Sequence, residues 1–201
     1  MRAAAALLLA VAPGIGWGAD LRVAVEDGLG RPLPEAIVYL SSPALLPVGV
    51  PAPVSIDQRD RQFVPRVSVV QTGTAVSFPN SDQVRHSVYS FSRPKVFTLK
   101  LYAGKPANPV VFDKPGPVVL GCNIHDEMVA WLLVVDTPLF GKTDATGQYV
   151  FHGLKPGDYQ LSGWYPGLEN PSAAKPVSIT TQDSPAQRVH LDARPIGEGA
   201  P

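Results

Sequence analysis

The chain has 201 residues, of which 45% are hydrophobic, and its 17 basic residues balance its 17 acidic ones. This length allows one or two domains with a sizeable core, and the balanced charge gives neither the basic patch of a nucleic-acid-binding protein nor a charged tail. The 22 prolines and 18 glycines follow no period, which excludes a collagen-like fibre.

The N-terminal 19 residues have the features of a secretory signal peptide. Arg2 precedes a short apolar run at residues 3–13, and small residues follow at residues 14–19. The apolar run is too short to cross a bilayer as a helix. We therefore expect residues 1–19 to be a signal peptide and the mature protein to be exported, without a membrane span.

Two short strands and a turn come next. Residues 21–26 alternate between apolar and polar, residues 27–32 have the composition of a turn, and residues 36–40 form a second apolar strand. The pattern predicts a hairpin. Because a two-stranded hairpin is marginal alone in water, it must pack against a later part of the chain.

Short strands then follow one another through the middle of the chain. The predicted strands are residues 66–70, 74–78, 88–91, 96–102, 110–112, 118–120 and 129–135. The turn at residues 71–73 predicts a hairpin between the first two. Short strands separated by Gly and Pro turns, without an amphipathic helix, favour a β-sandwich.

Four further strands are predicted in the last third of the chain. They are residues 148–151, 159–164, 177–181 and 187–191, and the first two are separated by a Gly-containing turn. Residues 193–201 are predicted to be a disordered tail.

Three chemically distinctive side chains lie close together in the sequence. Cys122, the only cysteine, is followed by His125 and Met128, the only methionine besides Met1. A thiolate, an imidazole and a thioether, joined by a second histidine, form the ligand set of a mononuclear copper electron-transfer site.

His86, at the start of a predicted strand, is our candidate for that second histidine. The alternative interpretation makes Cys122 a small buried hydrophobe, His86 a residue that caps a loop, and Met128 part of the core. His152 and His190 lie beside turn or terminal residues, and we expect both to be ordinary surface histidines.

The middle of the chain resembles the cupredoxins, or blue copper proteins. The resemblance rests on G-T-x-V-x-F-x-N-x-D at residues 73–82, on H-x-V at residues 86–88, and on C-x2-H-x2-M at residues 122–128, the short loop spacing of amicyanin. It covers residues 55–136 and implies an all-β Greek-key sandwich. One type 1 copper ion would bind there to His86, Cys122, His125 and Met128.

The resemblance also implies a function. The amino-acid sequence of residues 88–92 and 121–126 is similar to that of plastocyanin-like proteins of methylamine utilisation. It implies a periplasmic carrier of single electrons, not an enzyme, with redox proteins such as an amine dehydrogenase and a c-type cytochrome as partners. We expect a monomer that binds no nucleic acid.

Three other functions stay open at this point. The protein could bind or deliver copper without carrying electrons, or it could be an enzyme with a Cys–His nucleophile, which would need an orienting third group. It could also be a metal-free structural or partner-binding β-sandwich.

The chain departs from the amicyanin pattern at three positions, and at one of them Leu120 replaces an aromatic residue two positions before the cysteine. Ser87 stands where an asparagine usually ties the two ligand segments together. Asp126 replaces a proline and adds a backbone N–H that could bond the thiolate. Asp126 and Glu127 also place acidic charge beside His125, which favours a partner with a basic or neutral docking face.

The outer segments resemble a different family, the carboxypeptidase-regulatory-like (transthyretin-like) β-sandwich. The patterns are V-x-V-x-D-x-x-G-x-P at residues 23–32 and T-D-x-x-G-x-Y-x-F at residues 143–151. The resemblance implies that residues 20–45 and 138–192 form one small split sandwich into which the copper domain is inserted. The alternative is a single decorated sandwich.

Overall fold

All regular structure in the described residues is β-strand, which confirms the prediction of an all-β protein. The computed structural model describes residues 18–45, 49–106, 108–182 and 184–196, so residues 1–17 of the predicted signal peptide lie outside it. In this described part of the chain, no helix is long and apolar enough to cross a membrane.

Seventeen strands form the described structure. In chain order they are β1 (Ala19–Asp27), β2 (Ile37–Ser41), β3 (Val54–Ser55), β4 (Asp57–Arg59), β5 (Gln62–Val64), β6 (Val67–Gln71), β7 (Thr74–Ser77), β8 (His86–Ser90), β9 (Phe97–Tyr102), β10 (Val110–Phe112), β11 (Gly116–Gly121), β12 (Val129–Val135), β13 (Leu139–Lys142), β14 (Gln148–Leu154), β15 (Gly157–Trp164), β16 (Lys175–Ile179) and β17 (Ser184–Leu191).

The strands form four main sheets. The first sheet has the order β14-β1-β17 and the second the order β13-β2-β15-β16. The third sheet, β6-β12-β11-β8-β9, has five strands, and the fourth has the order β10-β7-β3. Strands β4 and β5 form a separate two-stranded ribbon.

Three hydrophobic cores lie between these sheets, so the sheets are stacked as layers in the order first, second, third and fourth. An outer core lies between the first and second sheets and contains Val23 and Leu161. A site core lies between the third and fourth sheets and contains Val76 and Leu132. A central core joins the second sheet to the third; its buried members are Ile37, Val67, Leu133, Val135 and Trp164.

Strand β12 contributes to two of these cores at once. Ala130, Leu132 and Val134 belong to the site core, whereas Leu133 and Val135 belong to the central core. A strand covered on both faces has a nearly continuous apolar sequence, as residues 129–135 do.

Both hairpins predicted from the sequence are wrong. Strands β1 and β2 lie in different sheets, where β1 pairs with β14 and β17 and β2 pairs with β13 and β15. Strand β6 pairs with β12, while β7 pairs with β10 and β3. The intervening turn bonds to both sheets: Thr72 N donates to Val135 O at 2.9 Å and Gly73 N donates to Phe112 O at 2.7 Å. It therefore connects two layers and not two neighbouring strands.

The strands of the two outer segments pair with each other across the long intervening sequence. Val23 of β1 lies opposite Tyr149 of β14, and Leu40 of β2 lies opposite Leu161 of β15. The division into a split outer domain and an inserted domain stays a prediction, and this pairing supports it. Within the tail predicted at residues 193–201, Ile196 donates its N–H to the Tyr165 hydroxyl at 2.9 Å. Residues 197–201 lie outside the described part.

Candidate metal centre

Two histidines and the only cysteine converge at one end of the site core. His86 begins β8, Cys122 directly follows β11, and His125 lies in the loop between β11 and β12. One donor atom from each of the three lies within 4.8 Å of the other two. Cys122 Sγ is 3.8 Å from His86 Nδ1 and 3.9 Å from His125 Nδ1. The structure thus brings together three of the four residues that the sequence predicted as ligands.

The spacing of these atoms fits one metal ion. With metal–sulfur and metal–nitrogen bonds of about 2.3 and about 2.1 Å, two donors in a trigonal arrangement lie about 3.8 Å apart. The two Sγ–Nδ1 distances agree with this value. A trigonal set of two imidazoles and one thiolate suits copper.

Burial differs among the three side chains. Cys122 is 3% exposed and His86 is fully buried, whereas His125 is only half-buried. The His86 and His125 rings lie with their centroids 4.9 Å apart and their planes at 60°. An ion between them would be shielded from bulk water on the Cys122 and His86 side and would reach the surface through His125.

Met128, the fourth predicted ligand, is 1% exposed and belongs to the same core cluster as Cys122. Its backbone N–H donates to His125 O at 3.0 Å, which closes a turn in the loop. The structure therefore places Met128 in the same core as Cys122. Its role as a ligand, like that of His86, Cys122 and His125, stays a prediction.

The loop geometry follows from the pairing of β11 with β12. The last antiparallel pair is Gly121 with Val129, so residues 122–128 form the loop. A Cβ on Gly121 would lie 2.7 Å from the Tyr89 ring, because Tyr89 of β8 packs directly over this glycine. The close approach of β8 brings His86 to the loop.

The sulfur of Cys122 is surrounded by hydrogen-bond donors. Burial raises the pKa of its thiol, but the backbone N–H groups of Ile124 and Ser87 outweigh burial and, with the His125 imidazole, lower this pKa to about 6. The thiolate, which is the form that binds metals, therefore predominates at neutral pH. The expected donor, the Asp126 N–H, is not among these groups.

Ser87, at the start of β8, contacts the loop that follows β11. Its hydroxyl lies 3.8 Å from Cys122 Sγ and accepts a hydrogen bond from Asn123 N at 3.0 Å. This hydrogen bond links β8 to the loop, and the Ser87 side chain that makes it is buried.

Asp82, for which the sequence predicted no role, contacts the His86 ring. Its Oδ2 lies 2.8 Å from His86 Nε2 and accepts the Arg61 N–H at 2.8 Å. The Arg61 N–H and the His86 ring lower the pKa of the Asp82 carboxyl. Asp82 ends the pattern at residues 73–82 and lies four residues before a candidate ligand, but neither feature predicts a contact with the His86 ring, because that spacing has no fixed geometry in a loop.

The remaining histidines are surface residues, as predicted. His152 pairs with Asp20 at 2.8 Å and His190 lies 3.8 Å from Glu26, all in the outer segments. Among the described residues, the only group of three or more possible His, Cys, Asp or Glu ligands is the one around Cys122.

No protein-family model and no curated protein matches the chain. Several solved structures match part of it. A Cu-containing nitrite reductase from Thermus scotoductus is 26% identical over 45% of this chain, with a TM-score of 0.39, and the match spans 25% of the reductase. A purple cupredoxin from Nitrosopumilus maritimus is 21% identical over 41% of this chain and 99% of its own, with a TM-score of 0.37. The oxidized form of an amicyanin mutant is 14% identical over 48% of this chain and 99% of its own, with a TM-score of 0.38. The structural neighbours of this chain are cupredoxins, the family that its ligand loop resembles.

Proposed function

We propose that this protein is an exported type 1 copper protein that carries single electrons. His86, Cys122 and His125 would hold one copper ion, with Met128 as a weak axial ligand. The observation that supports this most directly is the placement of one thiolate and two imidazole nitrogens at the spacing of a single trigonal ion. Bound there, copper would accept and release one electron.

The surroundings of the cluster suit electron transfer because they limit rearrangement. Cys122 and His86 are fixed in the packed core, and Ser87 bonds the loop to β8. A preorganised ligand set changes little between two oxidation states, so the energy required for reorganisation is small.

The half-buried His125 is the proposed exit for the electron. Its neighbour Ile124 is 52% exposed, and Asp126 and Glu127 are exposed. We propose that a redox partner with a basic or neutral face docks here, since rim charges act mainly on the rate of encounter. The resemblance suggests an amine dehydrogenase and a c-type cytochrome as partners, in the periplasm.

Two other functions use the same residues. The first is an enzyme with a cysteine nucleophile. The contacts of Cys122 with His86 and of His86 with Asp82 match those of a nucleophile, a base and an orienting acid. However, Cys122 is 3% exposed and His86 is fully buried, so a substrate has no access to the sulfur. Copper delivery would need an ion that leaves readily, which a buried, preorganised set disfavours.

The test is the visible spectrum of the mature protein after Cu(II) is added. We expect an intense blue charge-transfer band that is absent in Cys122→Ser. The His152→Ala variant is the matched control, because it removes a surface imidazole and should keep the band. If copper is retained through repeated reduction and reoxidation, delivery is excluded; loss of copper on reduction would support it.

A further inference from the structure

The carboxylate of Asp82 lies behind the buried ligand histidine. Its Oδ2 is 2.8 Å from His86 Nε2, on the ring edge opposite Nδ1, which faces Cys122 Sγ at 3.8 Å. The side chain of His86 is fully buried, and that of Asp82 is 14% exposed. The contact is therefore largely shielded from water.

A strained turn holds this carboxylate in place. Strands β4 and β5 pair Arg59 with Gln62, which leaves Asp60 and Arg61 as a two-residue turn. Their φ angles are 52° and 58°, a region that residues other than glycine seldom adopt. In this conformation the Arg61 N–H donates to Asp82 Oδ2 at 2.8 Å, and the Asp60 N–H also bonds to this carboxylate. Backbone strain that persists is often found at functional sites.

Asp82 is fixed from its backbone as well. Its N–H donates to Asn80 Oδ1 at 3.0 Å. The Asn80 amide in turn donates to Val84 O at 2.9 Å and to Tyr102 O at 3.0 Å. Asn80 is 5% exposed, so this support belongs to the packed structure and leaves the Asp82 side chain little freedom.

We propose that Asp82 is a positioning residue that holds His86 with its proton on Nε2. In this role it lowers the reduction potential of the site. The Asp60–Arg61 turn keeps the Asp82 carboxylate in the required position. This inference rests on the proposed function. A carboxylate that accepts the remote N–H of a ligand imidazole fixes the tautomer and makes the ligand more basic. A more basic ligand favours Cu(II) over Cu(I).

The expected effect follows from this difference. Loss of such a partner typically weakens metal binding about 10- to 100-fold. If Asp82→Asn weakens Cu(II) binding and leaves Cu(I) binding unchanged, each tenfold loss raises the reduction potential by about 59 mV for this one-electron couple. Asp82→Ala, which also removes the hydrogen-bond acceptor, should raise the potential further.

The first measurement needs no metal. In the metal-free, 15N-labelled mature protein, long-range 1H–15N spectra show which ring nitrogen of His86 is protonated. We expect the Nε2–H tautomer in the wild type and a loss of this preference in Asp82→Ala. A wild-type protein with the proton on Nδ1 would overturn the inference.

The second measurement is the reduction potential of the copper-loaded variants. Asp57→Asn is the matched control, because it removes one carboxylate from the β4–β5 ribbon that does not contact His86, and its potential should stay close to that of the wild type. If Asp82→Asn and Asp82→Ala also keep the wild-type potential, Asp82 does not set it.

The turn is tested with two substitutions at one position. Arg61→Gly retains the N–H and suits a positive φ, so the potential should be unchanged. Arg61→Pro removes the N–H and cannot adopt this φ, so the potential should rise as in Asp82→Asn; an unchanged potential would refute the role of the turn. A wild-type protein with the Nε2–H tautomer that binds no copper would refute the proposed function and leave the positioning of His86 by Asp82 intact.

Discussion

The stacking of the outer sheets on the third sheet can be tested at Leu133. This side chain is fully buried in the central core, between β12 and the second sheet. Replacing a buried leucine by alanine removes its transfer energy and leaves a cavity, which together cost about 2 to 5 kcal/mol. We therefore expect Leu133→Ala to lower the free energy of unfolding by this amount. In a chain of this size, each 1 kcal/mol lowers Tm by about 2 to 4 °C.

The molecule contains its own reporter for this experiment. After removal of the predicted signal peptide, Trp131 and Trp164 are the only tryptophans, and both pack in the central core. Tryptophan fluorescence during unfolding in denaturant therefore follows the separation of these two layers. The same fluorescence gives the free energy of unfolding for each variant.

Val119→Ala is the matched control for Leu133→Ala. Val119 lies opposite Trp131 in the third sheet but is 45% exposed, so its truncation should change the free energy of unfolding by less than about 0.5 kcal/mol. If Leu133→Ala also costs less than about 0.5 kcal/mol, the face of β12 that contains Leu133 is open to solvent and the stacking of the sheets is wrong.

Three further predictions concern the site. Ser87→Ala should lower the free energy of unfolding by about 0.5 to 1.5 kcal/mol, because the hydrogen bond from the Asn123 N–H is lost. Ser87→Thr should retain this bond, so equal melting temperatures for the two variants would contradict the link. The thiol pKa of Cys122 is lowered from 9.0 to about 6, so the ultraviolet absorbance of the thiolate should be present in the metal-free protein at pH 7 and disappear as the pH falls through about 6. Metal uptake should weaken over the same pH range. A midpoint of the absorbance titration near pH 9 would refute this. Asp126→Lys and Glu127→Lys should change the salt dependence of electron exchange with a redox partner and leave the visible spectrum unchanged; loss of the band with an unchanged salt dependence would show that these residues are structural.

The candidate ligands could be predicted because their chemistry is rare and their spacing is local. Few kinds of site other than a mononuclear copper centre use one cysteine, one histidine and one methionine within seven residues, as residues 122–128 provide. The all-β class was equally accessible, since strand periodicity is a local property. His86 was harder to assign, and the choice depended on its position before a predicted strand.

The layer arrangement could not be predicted from the same local signals. Turn residues at 71–73 have the composition of a hairpin turn, yet they connect β6 of the third sheet to β7 of the fourth. Composition determines whether the chain can turn, but not which strand becomes its neighbour. The apolar sequence of β12 did contain a signal, because a strand with both faces apolar must be covered on both sides.

The hydrogen bonds around the ligands were also beyond local reasoning. Ile124 and Ser87, and not Asp126, supply the backbone donors to the Cys122 sulfur, and which N–H points at the sulfur depends on the folded loop. The carboxylate of Asp82 contacts both the His86 ring and the Arg61 N–H of the β4–β5 turn. Those contacts join residues 60–61 to residues 82–86, and no short pattern describes them.

The most direct test of the central claim is the visible absorption spectrum of the mature protein titrated with Cu(II). If His86, Cys122 and His125 hold one copper ion, an intense blue band should grow with Cu(II) and stop growing at one equivalent, and Cys122→Ser should abolish it. A protein that binds one equivalent of Cu(II), measured by metal analysis, and stays colourless would contradict the assignment of a type 1 copper centre.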